Sequence, residues 1–318
     1  MTAPDGSLCS SDSPQAYQGL SSGAVSSYKA DPTDVCNTAD HVLVWIAPSQ
    51  QLVGATVELV VLEEPPLVTD RHLPPVEKPT WEPMTSAPAV PVPVPGLSLS
   101  DAPVLGPGSY DASVLTGETQ VYAVDLAWGQ RLQVQAVVAP RHGALARELG
   151  GGDYLSLDII GPGRGKYVLL RAADQPKDSD FGLDSSAAVK SATTPEIRYL
   201  NRTDFDSRPG DLPGREYVVV TMNRFAHDSA FLVPYTLKIG VLGTAGEGAP
   251  EYVGASASPS ANPSPSETPS VAPQAPPGPS AGVPLGAVVG IATGALVLGG
   301  ATTGVVLAVR RRRRGRAV

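Results

Sequence analysis

The 318-residue chain contains 33 glycines and 33 prolines but only 17% charged residues, a composition that favours short strands and turns over long charged helices. Its net charge of −8 includes six arginines within the last nine residues, so the rest of the chain carries −14. A body this acidic repels phosphate backbones, and no basic patch with interleaved aromatic residues precedes the tail, which argues against a nucleic-acid partner.

Residues 1–63 contain two strand-like runs, HVLVWI at His41–Ile46 and a longer apolar run that starts at Thr56. We expect them to form a small partial β module. Cys9 and Cys36 are the only cysteines, and two cysteines in an exported chain more often form one disulfide than remain free. The alternatives are two unpaired thiols, or a bond from Cys9 to a segment upstream of this sequence.

A proline-rich stretch follows, with ten prolines in the 31 residues from Pro65 to Pro95. Proline has no N–H group to donate to a sheet, so we expect residues 64–106 to form a linker that pairs with no strand. A second stretch, rich in Pro, Ser and Ala at 244–282, is expected to be a stalk. Its part from Pro250 to Gly282 would reach roughly 100 Å if fully extended.

Residues 107–243 alternate apolar and polar side chains in several short runs, which is typical of strands with one buried face. The clearest runs are Leu132–Ala136, Leu155–Ile159 and Tyr235–Val241. The run Tyr217–Met222 is almost continuously apolar, as in a central strand. Short strands without a convincing amphipathic helix predict a mainly β fold, specifically a jelly-roll-like β-sandwich.

The start of this region resembles the bacterial pre-peptidase C-terminal module, in which an opening strand and a Gly-Glu turn precede a Tyr-x-Val strand and a Gly-Gln turn. The matching residues are Gly117, Glu118, Tyr122, Val124, Gly129 and Gln130. Pro213–Met222 and Pro234–Gly243 resemble the closing strands of the module, whereas a polar insertion from Arg171 to Ser207 departs from it. The resemblance implies a non-catalytic β-sandwich of a secreted or surface protein. The layout is also similar to that of actinobacterial membrane-anchored exported proteins, some with a von Willebrand A-like domain upstream.

The sequence lacks a His-Glu-x-x-His helix and a Cys-x-x-Cys pair, and its four histidines are widely separated. We therefore expect no enzyme activity and no resident cofactor. The acidic run DSDFGLD is the candidate metal site, because alternating carboxylates in a turning loop can converge on calcium. Its ligands would be Asp178, Asp180 and Asp184. The alternative is a solvated acidic loop, since the distal Glu of a calcium-binding loop is missing.

The 25 uncharged residues 285–309 would form a helix long enough to cross the roughly 30 Å hydrocarbon core of a bilayer. We expect one transmembrane helix over 283–309 and a cytoplasmic tail over 310–318. Clustered arginines stay on the cytoplasmic side, which places the N-terminal region outside the cell membrane. The arginines that set this orientation are Arg310, Arg311, Arg312, Arg313, Arg314 and Arg316.

Small residues recur along one side of the predicted span. Gly286, Gly290 and Gly294 are spaced four apart, which would allow two helices to pack closely and predicts self-association in the membrane. The alternative is chance, because a span rich in Ala, Gly and Val often produces this spacing.

These features predict a non-catalytic cell-envelope protein that displays a β-sandwich outside the membrane on a stalk, with cell-wall glycan or another envelope protein as its partner. An external N-terminal region needs an export signal, yet the first residues lack a basic start and an apolar run. We therefore expect the sequence to be truncated or to begin at a misplaced start. In the alternative function, this chain is the C-terminal accessory and anchor region of a larger exported hydrolase or von Willebrand A-like protein. A tail-anchored protein with a cytoplasmic body is the alternative topology.

Overall fold

The fold is given by a computed structural model, and it is mainly β, as expected. The residues that it describes are 1–11, 15–17, 20–26, 33–46, 56–69, 71–84, 87–149, 153–168, 171–179, 187–223, 230–253, 295–297 and 305–310. The strands are β1 (Gln15–Tyr17), β2 (Leu20–Ser22), β3 (His41–Ile46), β4 (Thr56–Glu58), β5 (Val90–Pro91), β6 (Gly108–Leu115), β7 (Thr119–Leu126), β8 (Gln130–Val138), β9 (Tyr154–Ile160), β10 (Ala188–Thr193), β11 (Gly214–Asn223), β12 (Leu232–Gly243), β13 (Ala295–Val297) and β14 (Val305–Arg310). The helical elements are α1 (Val35–Thr38), α2 (Gly143–Glu148) and the 3-10 turns Tyr199–Thr203 and Arg208–Gly210.

Strands β5 to β12 form two sheets that share one hydrophobic core. The larger sheet has the strand order β10-β8-β12-β6-β5, and the smaller has the order β7-β11-β9. Neighbouring strands are antiparallel except β5 and β6, which are parallel. Side chains from both sheets, such as Val134 and Leu237 of the larger and Leu157 and Val220 of the smaller, belong to the same buried cluster. Full burial of each such side chain contributes about 1.5–3 kcal/mol relative to exposure.

The predicted runs in this body are confirmed. Leu132–Ala136 lies in β8, Leu155–Ile159 in β9 and Tyr235–Val241 in β12. In each run, the apolar residues at every second position enter the shared core, because successive side chains of a strand point to opposite faces. The predicted insertion 171–207 is not wholly a loop, since its residues Ala188–Thr193 form β10 at the edge of the larger sheet.

A buried group of hydroxyl and amide side chains connects the two sheets. The hydroxyls of Tyr122 in β7 and Tyr235 in β12 both donate to Gln120 Oε1, at 3.1 and 2.8 Å. The Gln120 amide nitrogen donates in turn to the backbone oxygen of Ser113 in β6, at 2.8 Å. These bonds pair polar atoms that would otherwise destabilise the core, and they fix the position of one sheet relative to the other.

Strand β11 is the central strand of the smaller sheet, between β7 and β9, as its apolar sequence predicts. Val218 faces the shared core, whereas Tyr217 and Val219 belong to a second buried cluster on the opposite face of the sheet. Leu99 and Ala102 belong to this outer cluster as well. Burial on both faces explains why the run lacks polar alternation.

Residues 64–105, called the strap from here on, do not form a free linker. Val90–Pro91 is β5, which runs parallel to β6 at the edge of the larger sheet. The Val92 N–H donates to Asp111 O at 3.0 Å. The expectation that this stretch pairs with no strand is therefore wrong. Proline residues keep their carbonyl acceptors, and the residues between them supply N–H groups.

Polar side chains of the larger sheet also hold the strap. Gln133 Oε1 accepts from the Glu82 N–H at 2.9 Å, and Gln133 Nε2 donates to Glu82 O at 2.6 Å. Arg131 Nη2 lies 2.7 Å from Glu82 Oε1. The side-chain amide of Gln133 thus makes the two bonds that a neighbouring strand would make, so a segment with few backbone donors still docks.

The N-terminal region contains the expected disulfide between Cys9 and Cys36, whose Cα atoms lie 5.5 Å apart, within the usual range. The predicted strand HVLVWI is confirmed as β3, His41–Ile46. The run that starts at Thr56 forms a strand only as far as Glu58. β3 also contacts the start of the chain, since Thr2 and Leu43 exchange backbone hydrogen bonds of 2.9 and 2.8 Å.

Within the predicted span 283–309 the structure describes only two short stretches. Both are strands where a helix is expected: β13 pairs with β4, and β14, which ends at Arg310, pairs with β3. The rest of the span lies outside the described residues, as do the candidate packing glycines 286, 290 and 294 and the tail after Arg310. None of the helices in the described part of the chain is long and apolar enough to cross a bilayer.

The role of Gln133 in holding the strap can be tested by Gln133→Ala. Loss of its two bonds to Glu82 should lower the free energy of unfolding by about 1–2 kcal/mol. Hydrogen exchange at the Glu82 amide should become at least about tenfold faster, because its acceptor is gone. Gln135→Ala is the matched control, since Gln135 lies on the same strand and its side chain bonds to Ser191 instead, at 3.2 Å. Equal exchange at Glu82 in both variants would contradict this role.

Candidate functional site

The structure describes one of the three predicted calcium ligands. Asp178 Oδ1 accepts from the Ser191 N–H at 3.0 Å and lies 3.5 Å from an Arg171 nitrogen. Asp180 and Asp184 lie outside the described residues, so the calcium site stays a prediction. Across the residues that can be described, no three His, Cys, Asp or Glu side chains are grouped to hold a metal ion.

The densest polar contacts surround Glu64, where the strap begins. Arg202 donates to both oxygens of this carboxylate, at 2.5 Å from Nη1 to Oε2 and at 3.2 Å from Nη2 to Oε1. The Tyr252 hydroxyl donates to Glu64 as well, and the Arg202 guanidinium lies 3.5 Å from the centre of the Tyr199 ring. The Arg202 side chain is only 5% exposed, so little water competes for the hydrogen bonds of this bidentate ion pair.

At the same place the two ends of the folded body meet. The Val68 N–H donates to Glu251 O, and the Val253 N–H donates to Pro66 O, each at 2.8 Å. The chain therefore enters the body and leaves it side by side. Residues 244–253, predicted as the start of the stalk, belong to the body, and the remainder of the predicted stalk lies outside the described residues. We call this backbone pair, together with Glu64, Tyr199, Arg202 and Tyr252, the Glu64 junction.

Two further acids lie next to the junction. Asp211 Oδ2 is 3.7 Å from Arg202 Nε, and burial raises the pKa of Asp211 to about 6, with Arg202 lowering it and Glu64 raising it. Glu216 is fully buried in β11 and accepts from the Tyr167 hydroxyl at 2.9 Å. Burial raises the pKa of Glu216 well above its ordinary value; the Tyr167 bond opposes this shift and Asp211 adds to it.

Two buried oxygens beside these acids have no hydrogen-bond partner among the described residues: Glu216 Oε2 and Asn201 Oδ1. The Asn201 amide is nevertheless fixed, because Nδ2 donates to Glu196 O at 2.7 Å and to Gly210 O at 2.9 Å. A proton on Glu216 avoids the burial of a bare charge. Glu216 and Asn201 are both fully buried.

Sequence analysis missed the residues of this site, although one signal was present. Glu216 lies two and four positions before Val218 and Val220, so all three side chains lie on the same face of β11. An acid facing the core could therefore have been predicted from the alternation of side chains alone. Glu64 and Arg202 carry no such signal, because they are 138 positions apart and meet only through the fold.

No protein-family model matches this chain, and no curated protein is similar to it in sequence. The resemblance to the pre-peptidase C-terminal module rests on the turn and strand residues named above and stays a prediction. Two of those residues, Gly117 and Gly129, occupy turns with φ of 88° and 75°, a conformation that favours glycine.

The acids give the body a characteristic pH dependence. Asp211 and Glu216 hold their protons more tightly in the folded state, so their contribution to stability is complete below about pH 4 and is lost as the pH rises. For Asp211 this loss ends near pH 6 and amounts to about 3 kcal/mol. For Glu216 it continues to higher pH.

Glu216→Gln should remove the Glu216 part of this dependence, because glutamine is neutral at every pH and can still accept from Tyr167. Urea unfolding at pH 4.5 and pH 8 should show a smaller fall in stability for the variant than for the unaltered chain. Titrating groups that do not interact with Glu216 are common to both proteins and cancel in this comparison. An unchanged difference between the two pH values would show that Glu216 is ionised in the folded state.

The Glu64 junction can be tested by Arg202→Lys, which keeps the charge but removes the two-pronged contact. We expect a loss of about 1–3 kcal/mol in the free energy of unfolding and faster hydrogen exchange at the Val68 and Val253 amides. Arg208→Lys is the control, because Arg208 is exposed nearby and should change stability by less than about 0.5 kcal/mol. Unchanged exchange in Arg202→Lys would show that the ion pair does not hold the junction.

Proposed function

We propose that this protein is a non-catalytic display module of the cell envelope. Its two-sheet body, a β-sandwich of the jelly-roll kind, stands outside the membrane on the stalk that follows Val253. A helix over 283–309 crosses the membrane, and the arginines of the tail stay inside. The partner of the body is a cell-wall glycan or another envelope protein.

The observation that carries the proposal is the Glu64 junction. Because the chain enters and leaves the body at one point, the body is a pendant unit on a chain that continues past it. The backbone hydrogen bonds of Val68 and Val253 hold these two ends together. This arrangement suits a folded unit carried on a stalk.

Membrane anchoring is supported by the sequence pattern. The 25 uncharged residues match the thickness of a bilayer core, and five consecutive arginines follow them. A spanning helix satisfies all of its backbone groups internally, so β13 and β14 would separate from β4 and β3 when the segment enters the bilayer. The segment can therefore form either the membrane-spanning helix or the strands β13 and β14, but not both at once, and experiment can distinguish the two.

A second candidate function is the accessory and anchor region of a larger exported protein, and one contact favours it. Arg164, in the turn after β9, lies with Nη2 2.7 Å from Glu58 of the N-terminal region and 4.6 Å from the centre of the Tyr217 ring. The Ser22 hydroxyl donates to Arg164 O. These contacts fix the N-terminal region on the body, as required if the body positions a domain that precedes it.

The display proposal is tested by the topology of the chain in cells, expressed behind an added signal peptide. Ser256→Cys in the stalk should react with a membrane-impermeant maleimide in intact cells, whereas Ala317→Cys in the tail should react only after permeabilisation. The protein should stay in the membrane pellet after carbonate extraction. Release by carbonate, or labelling of the tail in intact cells, would rule out the proposed anchoring.

A further inference from the structure

The strap contains the sequence VPVPVPG at 90–96, in which every second residue is proline. In β5, Val90 and Pro91 pair with Tyr110 and Asp111, and the Val92 N–H donates to Asp111 O. Successive backbone N–H groups of a strand point to opposite sides, so positions 90 and 92 face β6 and position 91 faces away. The prolines thus occupy the positions whose N–H groups would point outward.

The same segment also covers the edge of the smaller sheet. The Gly96 N–H donates to Val121 O at 2.9 Å and the Val121 N–H returns a bond to Gly96 O at 3.0 Å, while the Leu105 N–H donates to Ala123 O at 2.8 Å. Residues 90–105 therefore pair first with β6 and then with β7, the two strands that would otherwise lie at the open edge on this side of the body. Gly96 is required there, because a Cβ atom would lie 2.7 Å from Ala102 Cα.

The new edge made by β5 is exposed and apolar. Val90 is 53% exposed, Val94 87% and Leu97 73%, and both Pro91 and Pro93 are exposed. An extended apolar edge of this kind is a template for pairing with another strand. Prolines at the outward positions remove the donors that such pairing needs, and their rings occupy the space that an incoming strand would take.

We propose that the alternating prolines of residues 90–96 prevent this edge from adding a strand of a second copy of the chain. The strap closes the open edges of both sheets with the N–H groups of Val92, Gly96 and Leu105, and the prolines leave its own outer side without donors. The body then remains a separate unit at the high local concentration of a surface, where copies meet repeatedly.

The test compares two doubly substituted full-length chains in the same mild detergent. Pro91→Thr with Pro93→Thr restores two outward N–H groups in a residue that favours strands. Pro83→Thr with Pro88→Thr is the matched control, since both prolines are exposed and outside β5. Sedimentation velocity over a range of concentrations should show self-association at least about tenfold tighter in the first variant than in the control or the unaltered chain. Any association through the predicted span is common to all three.

Hydrogen exchange identifies the surface involved. In the first variant the new amide at position 91 should gain protection as the concentration rises, while the Val92 amide stays protected throughout. Equal self-association in the two variants would overturn the proposal, as would association without protection of the amide at position 91. Loss of protection at the Val92 amide would show that the double substitution detaches the strap. In that case the single variant Pro91→Thr, which retains Pro93, is tested in its place. It is judged by the same two measurements, the strength of self-association and the protection of the amide at position 91.

Discussion

The open edges of β6 and β7 are the constraint on which the rest of the structure depends. Two sheets that share a core bury their side chains well, but strands at an edge present a row of unpaired backbone groups, and those groups must be paired or covered. Here a single segment covers both edges, by passing from the larger sheet to the smaller one along residues 90–105. The alternating prolines of residues 90–96 fit this arrangement, because Val92 donates its N–H group to β6 whereas Pro91 and Pro93 have no N–H group to present outward.

Closing the edges in this way brings the start of the strap next to the end of the body and creates the Glu64 junction. Arg202 would be costly to bury alone, and Glu64 compensates its charge while Tyr199 covers its face. Glu216 is fully buried, so protonation is the means by which the folded body tolerates its carboxyl group, whereas the carboxylate of Asp211 lies beside Arg202. The junction therefore joins the ends of the body, and the two acids next to it are expected to make the stability of the body depend on pH.

Three sets of contacts hold the parts of the body together. The hydroxyls of Tyr122 and Tyr235 tie the two sheets together through Gln120, the strap lies across both edges, and the ends of the chain are held side by side. Arg164 also connects the N-terminal region to the body through its contact with Glu58.

The sequence by itself determined four strands of the body, those that became β8, β9, β11 and β12. Alternation of side chains is a local property of a strand, so Leu132–Ala136 and Tyr235–Val241 could be assigned without a fold. For the two cysteines the sequence favoured one disulfide without deciding it, and the tertiary structure brings them together. The prediction that the proline-rich stretch pairs with no strand was wrong because its pairing depends on residues distant in the sequence. Gln133 and Asp111 form hydrogen bonds with it that cannot be predicted from the stretch alone. Only the tertiary structure could bring Glu64 to Arg202 and Tyr252, since contacts across such separations follow from the order of strands in the sheets and leave no local pattern.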